Sequence, residues 1–308
     1  HRVSFTAEVK DELSRVEPTC SLCDKAELAA LIRIEGTLNI SGGGNTRLEV
    51  ATETASVAKT VIRLLHTVYM LKTELTVRRS VLHKTHNYLI TVPAQKRMTL
   101  ALHDLGILGM HGFEPGISPE LVERGCCAGA YLRGAFLAGG YIADPRGDFH
   151  FELTMSSEPL ANDFVELMGA HGIKARVTRR HNTYAVYMKG VDNIIAFLAF
   201  VGAHNSALDM ETARVIKSVR NDTNRRVNAE IANQQKTAHA SMQQIAKIRQ
   251  VVEKHGIESI PQSLREVALL RLKYPDASIK ELGELADPPL SKNAVYHRLR
   301  RINAMLDE

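Results

Sequence analysis

Residue types suited to contact a nucleic acid are concentrated in one segment near the C-terminus. Their side chains can donate hydrogen bonds to phosphate oxygens or to base edges. Val295, Leu299 and Ile302 recur at the spacing of one helix face, which leaves the donors on the opposite face. We expect the first part of this helix to lie near bases and the later arginines to lie near phosphates. The candidate DNA-binding residues are Ser291, Lys292, Asn293, Tyr296, His297, Arg298, Arg300 and Arg301.

The elements before this helix have the spacing of a helix-turn-helix. Ser278 and Glu281 form the sequence pattern of a capping box, which marks a helix start. Asp287–Leu290 then indicates a short turn, and Ser291 is suited to cap the next helix. The pattern predicts an all-α helix-turn-helix domain. The alternative is a helical bundle with a solvated basic face.

Two apolar stretches, Leu28–Gly36 and Leu132–Gly140, begin segments with the same order of patterns. Both are rich in small residues, which let helices approach closely, and both end in glycine, which can end a helix. Alternating and helical periodicities then indicate two strands, a helix, two strands and a helix. The order αββαββα therefore occurs twice. We predict an α+β domain of two pseudo-twofold repeats that pack through their opening helices.

The first of these stretches resembles the LAGLIDADG signature of homing endonucleases, and Leu132–Gly140 is a weaker second copy. Glu35 occupies the position of the acid, and the matching residues are Leu28, Ala29, Leu31, Ile32 and Gly36. With the C-terminal module and the segments Ser4–Lys10 and Tyr131–Gly140, the chain resembles WhiA-type bacterial regulators. The resemblance implies a LAGLIDADG-like domain fused to a helix-turn-helix, and DNA-binding transcription regulation in sporulation, cell division and chromosome segregation.

In a nuclease of this type, the resemblance implies that one acid from each opening helix binds a divalent metal ion. Glu35 is one such acid, but Gly139 stands at the paired position and has no ligand to offer. Cleavage with two metal ions needs both carboxylates. We therefore predict no catalytic residue and no enzyme, with Glu35 as a vestigial position. The alternative is a metal-dependent DNA endonuclease in which Asp144 replaces the missing acid.

The chain has four cysteines, which precede the two opening helices: Cys20, Cys23, Cys126 and Cys127. If those helices pack side by side and nearly parallel, four thiols could surround one Zn²⁺ ion. Against this, adjacent cysteines are poorly placed to bind the same ion, and small buried thiols are common in helix packing. The sequence favours packing thiols without a metal, and a zinc site is the alternative.

Basic residues also recur at the ends of corresponding predicted strands. In endonucleases of this type, the saddle formed by the sheets holds duplex DNA, so the resemblance implies a second contact here. A solvated strand edge or a protein-binding surface are alternatives, because acidic residues dilute the positive charge. Two further arginines lie in a polar stretch that could contact phosphate. The possible DNA-binding residues are Arg78, Arg79, Arg179, Arg180, Arg225 and Arg226.

The patterns predict an N-terminal helix in residues 1–20 and a repeat domain in residues 21–220, with repeats 24–110 and 128–205. A helix over Glu211–Val219 is expected to break at Asn221–Asn224. Residues 221–237 are then a linker, with a helix extension as the alternative. Residues 238–308 form the helix-turn-helix domain, which begins with a helix over Ala238–Lys254.

The formal net charge of +5 permits a nucleic-acid partner, and the absence of tryptophan argues against a base-stacking platform for single strands. The longest apolar run, Ile194–Ala203, is far shorter than the roughly 20 residues of a membrane helix. We expect a cytoplasmic, nucleoid-associated monomer that binds double-stranded DNA without a cofactor. RNA polymerase or another regulator is a further candidate partner.

Overall fold

The computed structural model describes residues 3–41, 45–79 and 86–306. The chain divides into two compact units, His1–Lys217 and Ser218–Glu308. Each unit has an apolar core of its own. In the described residues, no helix is both long enough and apolar enough to cross a membrane.

The first unit begins with helix α1 (Phe5–Leu13), which Ser4 caps, and continues with the first repeat. The first repeat contains a four-stranded antiparallel sheet with strand order β1-β2-β4-β3. Its elements are α2 (Cys23–Glu35), β1 (Gly36–Ser41), β2 (Asn45–Thr52), α3 (Ala55–Tyr69), β3 (Glu74–Arg79), β4 (His86–Val92) and α4 (Arg97–Asp104).

A short hairpin, β5 (Leu108–Gly109) and β6 (Gly112–Phe113), and a 3₁₀ turn at Pro119–Leu121 lead to the second repeat. Its sheet has the matching order β7-β8-β10-β9. The predicted duplication of αββαββα is confirmed. The elements are α5 (Gly125–Gly139), β7 (Gly140–Ile142), β8 (Phe151–Met155), α6 (Glu158–Ala170), β9 (Arg176–Arg180), β10 (Thr183–Met188) and α7 (Val191–Val201).

Helices α2 and α5 pack against each other along the centre of the repeat unit, as predicted. Between them, the buried guanidinium of Arg133 binds the buried carboxylate of Glu27, with Nε and Oε2 3.1 Å apart. Arg133 also donates to the carbonyl oxygen of Val201 at 3.0 Å. Beside it, a Cβ atom on Gly134 would lie 2.2 Å from the carbonyl oxygen of Glu27. The close approach of the two helices therefore depends on glycine at this position.

Replacing Gly134 with alanine is expected to destabilise the repeat unit by about 1–3 kcal/mol, because the new methyl group meets rigid backbone. Gly169→Ala in α6 is the matched control, since no described atom lies within 4 Å of its Cβ position. Alanine is the better helix former, so this control should be neutral or stabilising. Denaturant unfolding of both variants checks the difference. Equal stability of the two variants would contradict the inference that the close packing of α2 and α5 depends on glycine at position 134.

Helix α8 (His204–His255) corrects the predicted break at Asn221–Asn224 and runs through the predicted linker, residues 221–237. Both predicted helices, over Glu211–Val219 and Ala238–Lys254, are parts of this one helix. The Thr223 hydroxyl donates to the carbonyl oxygen of Val219 at 2.9 Å, so it bonds within the helix and does not interrupt it. Nearly all residues from 217 to 240 are exposed. Exposed polar side chains cost a helix only a few tenths of a kcal/mol each, on the order of their intrinsic propensities.

The second unit continues with α9 (Gln262–Lys273), α10 (Ile279–Glu284) and α11 (Lys292–Ala304), after a 3₁₀ turn at Ile257–Ser259. The predicted capping box is present, because Ser278 N–H donates to Glu281 Oε2 at 2.7 Å and Glu281 N–H donates to Ser278 Oγ at 3.2 Å. Ile248 and Val251 of α8 contribute to the same apolar core as residues of α9, α10 and α11. The core therefore positions α11 against the other helices of this unit.

Candidate nucleic-acid interface

Helix α11 has a buried face and an exposed face that follow the predicted periodicity. Val295, Leu299 and Ile302 are buried in the core of the second unit. Ser291 caps the helix, since its Oγ atom accepts the Ala294 N–H at 3.2 Å. The exposed residues are Ser291, Lys292, Asn293, Tyr296, His297, Arg300 and Arg301. The structure thus brings seven of the eight candidate residues together on one accessible surface, which we call the α11 face.

The turn between α10 and α11 is held by close backbone contact. Leu290 N–H donates to the carbonyl oxygen of Gly283 at 2.8 Å. A Cβ atom on Gly283 would lie 2.2 Å from the carbonyl oxygen of Leu290. This contact fixes where α11 begins and therefore where its N-terminal residues project. A short first helix, a tight turn and an exposed second helix are the arrangement by which helix-turn-helix proteins enter the major groove.

Arg298, for which the sequence predicts a phosphate contact, is bound within the second unit. Its side chain is half-buried, and its Nη1 atom donates to the carbonyl oxygen of Ser263 at 3.0 Å. The same atom lies 3.8 Å from Glu266 Oε2. Arg298 therefore binds α9 within the unit, because its position on the helix lies between the buried and exposed faces. The α11 face retains Arg300 and Arg301 as its arginines.

A basic cavity of about 410 Å³ that the sequence does not predict lies in the second unit. Lys236 of α8, Lys280 of α10 and Lys292 of α11 line it. The buried Arg271 also lines it, and burial lowers the pKa of this guanidinium. No local pattern could have revealed the cavity, since its residues come from four separate helices. It adds positive charge next to the N-terminus of α11.

In the repeat unit, the two arginine pairs do not occupy equivalent positions. Arg78 lies opposite Asn87 on β4, and Arg180 lies opposite Thr183 on β10. The registers of the two sheets make Arg78 and Arg180 equivalent, on the face away from the helices. Arg79 and Arg179 each neighbour these residues on the strand and so point to the other face.

The outward sheet face of the repeats carries several ion pairs. Arg180 Nη1 binds Glu152 Oε1 at 2.6 Å, and the other oxygen of Glu152 lies 3.1 Å from His150 Nε2. In the first repeat, Arg47 binds Glu49 at 2.9 Å. These pairs weaken the attraction of the face for phosphate. The other predicted arginines, Arg225 and Arg226, are exposed on α8.

The vestigial acid and its paired position lie at the ends of the opening helices. Glu35 is the last residue of α2, and Gly139 is the last residue of α5. A Cβ atom on Gly139 would lie 2.8 Å from both Ile34 Cγ2 and the carbonyl oxygen of Thr154, so no acid fits there without a shift. Burial raises the pKa of the Glu35 carboxyl, and Lys10 opposes this effect. Burial lowers the pKa of the Lys10 amine, with Glu35 and Glu53 opposing.

The alternative acid is engaged elsewhere. Asp144 lies in the turn after β7, where its Oδ1 atom accepts the backbone N–H of Arg146 at 3.0 Å and the Arg146 side-chain Nε at 2.9 Å. The structure therefore pairs Asp144 with the guanidinium of Arg146.

All four cysteines meet where the opening helices begin. Cys20 and Cys23 flank the turn before α2, and Cys126 and Cys127 lie in the first turn of α5. A hydrogen bond from the Leu22 backbone lowers the pKa of Cys20 to about 6. Burial raises the pKa of Cys23 and of Cys127. The predicted meeting of the two helix N-termini is confirmed.

Comparison with known proteins covers almost the whole chain. Residues 21–108 match the WhiA N-terminal LAGLIDADG-like domain, residues 128–220 the WhiA LAGLIDADG-like domain and residues 223–306 the WhiA C-terminal HTH domain. The chain is 43% identical to a probable cell division protein WhiA of Desulforamulus reducens, over 99% of this chain and 96% of that protein. The corresponding protein of Heliobacterium modesticaldum is 42% identical over the same shares.

A solved structure shares the fold over the full length. The crystal structure of full-length DUF199/WhiA from Thermatoga maritima superposes with a TM-score of 0.61 and 24% identity, covering 99% of this chain and 98% of that one. The three matched domains correspond to the two repeats and the helix-turn-helix unit of the structure, and the relatives are similar over almost their full length. The chain belongs to the WhiA family.

Proposed function

We propose that this protein is a sequence-specific DNA-binding transcription regulator that does not cleave DNA. The α11 face carries the proposal, because donors for bases and cations for phosphates lie together on the exposed side of the second helix of a helix-turn-helix. Lys292 and Asn293 are at the N-terminal end of α11, which is the part that enters the major groove in this motif. Arg300 and Arg301 lie further along, where they can contact the DNA backbone.

The geometry at Glu35 supports a protein without nuclease activity. Two-metal cleavage needs acids that bridge both ions, and Gly139 leaves no room for the second acid. Burial raises the pKa of the remaining carboxyl, Glu35, with the charge of Lys10 opposing this effect. The LAGLIDADG-like unit is therefore proposed to keep the fold of a nuclease without its chemistry.

A selection experiment tests both parts of the proposal. Random-sequence duplexes are bound in Mg²⁺ and separated on a native gel, and the same reactions are run on a denaturing gel. We expect an enriched sequence motif in the shifted band and intact strands. Strands cut in a manner that Glu35→Gln abolishes would establish the endonuclease alternative. No shift at moderate salt would favour a protein-interaction module.

Asn293→Ala is expected to change base preference at one position of the selected site. Asparagine can bond two atoms of adenine, and such a contact discriminates by about 1–3 kcal/mol. Asn303→Ala, at the other end of α11, is the matched control and should keep the wild-type motif. Binding of single-base variants of the site measures the preference. A uniform loss of affinity across all sequences would show that Asn293 does not contact a base edge.

The repeat unit is proposed to act as a platform for RNA polymerase or another regulator, because its outward sheet face carries paired charges. Its internal pseudo-symmetry lets a monomer present two related surfaces. The relatives named probable cell division proteins support a role in cell division control. The resemblance to WhiA-type regulators extends the proposal to sporulation and chromosome segregation. We place this role at the nucleoid, in the cytoplasm.

A further inference from the structure

The four sulfur atoms form a compact cluster between the two repeats. All four Sγ atoms lie within 4.8 Å of one another. The Sγ atom of Cys20 is 3.5 Å from those of Cys23 and Cys127 and 3.7 Å from that of Cys126. The Cys126 and Cys127 sulfur atoms are 4.0 Å apart, so adjacent cysteines do reach the same point. The objection drawn from the sequence is therefore wrong.

These distances fit one tetrahedral ion. Zinc binds thiolates at about 2.3 Å, which places the corners of a regular tetrahedron about 3.8 Å apart. The four measured separations lie on both sides of that value. An iron–sulfur cluster binds its thiolates through different iron atoms and needs a wider arrangement. Side chains that merely fill space between helices have no reason to bring all four sulfur atoms to a common centre.

The local backbone also suits thiolate ligands. Cys23 N–H donates to the carbonyl oxygen of Cys20 at 3.1 Å, which closes a turn with the C-x-x-C spacing found in structural zinc sites. Cys23 begins α2, and Cys126 and Cys127 lie in the first turn of α5. The N-terminal ends of both helices favour negative charge at this place.

Two of the four cysteines are shielded from solvent, and the other two are partly accessible to it. Cys23 and Cys127 are buried, whereas Cys20 and Cys126 are half-buried. An ion could therefore enter past Cys20 and Cys126. A single ion held here would be surrounded by four sulfur ligands and would keep no open position for a substrate, which is the mark of a structural site.

We propose that Cys20, Cys23, Cys126 and Cys127 bind one structural Zn²⁺ ion as a tetrathiolate site. The ion joins the segment before α2 to the first turn of α5, and so links the two repeats at the end opposite Glu35 and Gly139. Zinc is favoured over ferrous iron at such a site by its higher affinity for the same ligands. The site acts on stability and is independent of the proposed DNA binding.

Metal analysis of the full chain, purified without an affinity tag or chelator under reducing conditions, tests the site. We expect about one zinc ion per chain and an absorption fine structure of four sulfur ligands at about 2.3 Å. A mercurial reagent should release the zinc as it titrates four thiols. These measurements use the wild-type protein and do not depend on any variant folding.

Variants then assign the ligands. Cys20→Ser and Cys127→Ser should each lower zinc affinity by on the order of 100-fold or more, since each removes a ligand. Ser21→Ala, in the same turn without loss of a thiol, is the matched control and should keep the wild-type zinc content. Wild-type protein that neither contains zinc nor binds added zinc would overturn the proposal. Iron in its place, fewer than four sulfur ligands, or a disulfide among these residues would also overturn it.

Discussion

Arg133→Ala is expected to lower the unfolding free energy of the repeat unit by about 3–5 kcal/mol. The substitution leaves the Glu27 carboxylate buried between α2 and α5 without its cation. Burial already raises the pKa of Glu27 and Arg133 opposes that effect, so loss of Arg133 should raise the pKa further. Hydrogen exchange of α2 and α5 amides measures the loss in this unit alone, which matters because a chain of two units need not unfold in one step.

Two variants serve as controls for this prediction. Arg146→Ala removes an exposed arginine that binds Asp144 and should leave stability almost unchanged, because exposed pairs contribute little. Glu27→Leu with Arg133→Met removes both buried charges and should recover most of the loss. This double variant should not recover all of the lost stability, since the Val201 carbonyl oxygen loses its donor at a cost of about 1 kcal/mol. A double variant no more stable than Arg133→Ala would contradict the explanation by a stranded charge.

Arg300→Gln with Arg301→Gln is expected to weaken DNA binding on the order of 10- to 100-fold at moderate salt and to reduce the salt slope by about 2. Both arginines are exposed on the α11 face, on the side away from the buried Leu299 and Ile302. Phosphate contacts carry no base information, so the selected motif should stay the same while the affinity falls for all sequences. Titration of labelled duplex over a series of salt concentrations measures both quantities.

Arg78→Gln with Arg180→Gln is the matched control, because it makes the same change of charge on the outward sheet face of the repeats. We expect wild-type affinity and salt slope for this variant, since Arg180 is bound by Glu152 and Arg47, on the same face, is bound by Glu49. An equal loss in both double variants would place the repeat unit in the DNA interface. A change in the selected motif for the Arg300 and Arg301 variant would mean that one of these residues reads a base.

The sequence alone determined the features that depend on neighbours along the chain. The capping box at Ser278 and Glu281, the cap at Ser291 and the buried stripe of α11 involve residues within one or a few helical turns, so their spacing carries the information. The duplicated αββαββα order was predictable for the same reason. The continuity of α8 was missed because its exposed middle has little apolar periodicity, and pattern analysis relies on a buried face to recognise a helix.

The tertiary structure decided what depends on residues far apart in the chain. Pairing registers showed that Arg78 is equivalent to Arg180, which the repeated Arg-Arg dipeptide concealed. Packing against α9 turned Arg298 inward, and the approach of Ile34 and Thr154 closed the position of Gly139. Only the side-by-side packing of α2 and α5 brought four sulfur atoms to one point. Such contacts follow from how whole elements pack, and the spacing of residues along a single element cannot specify them.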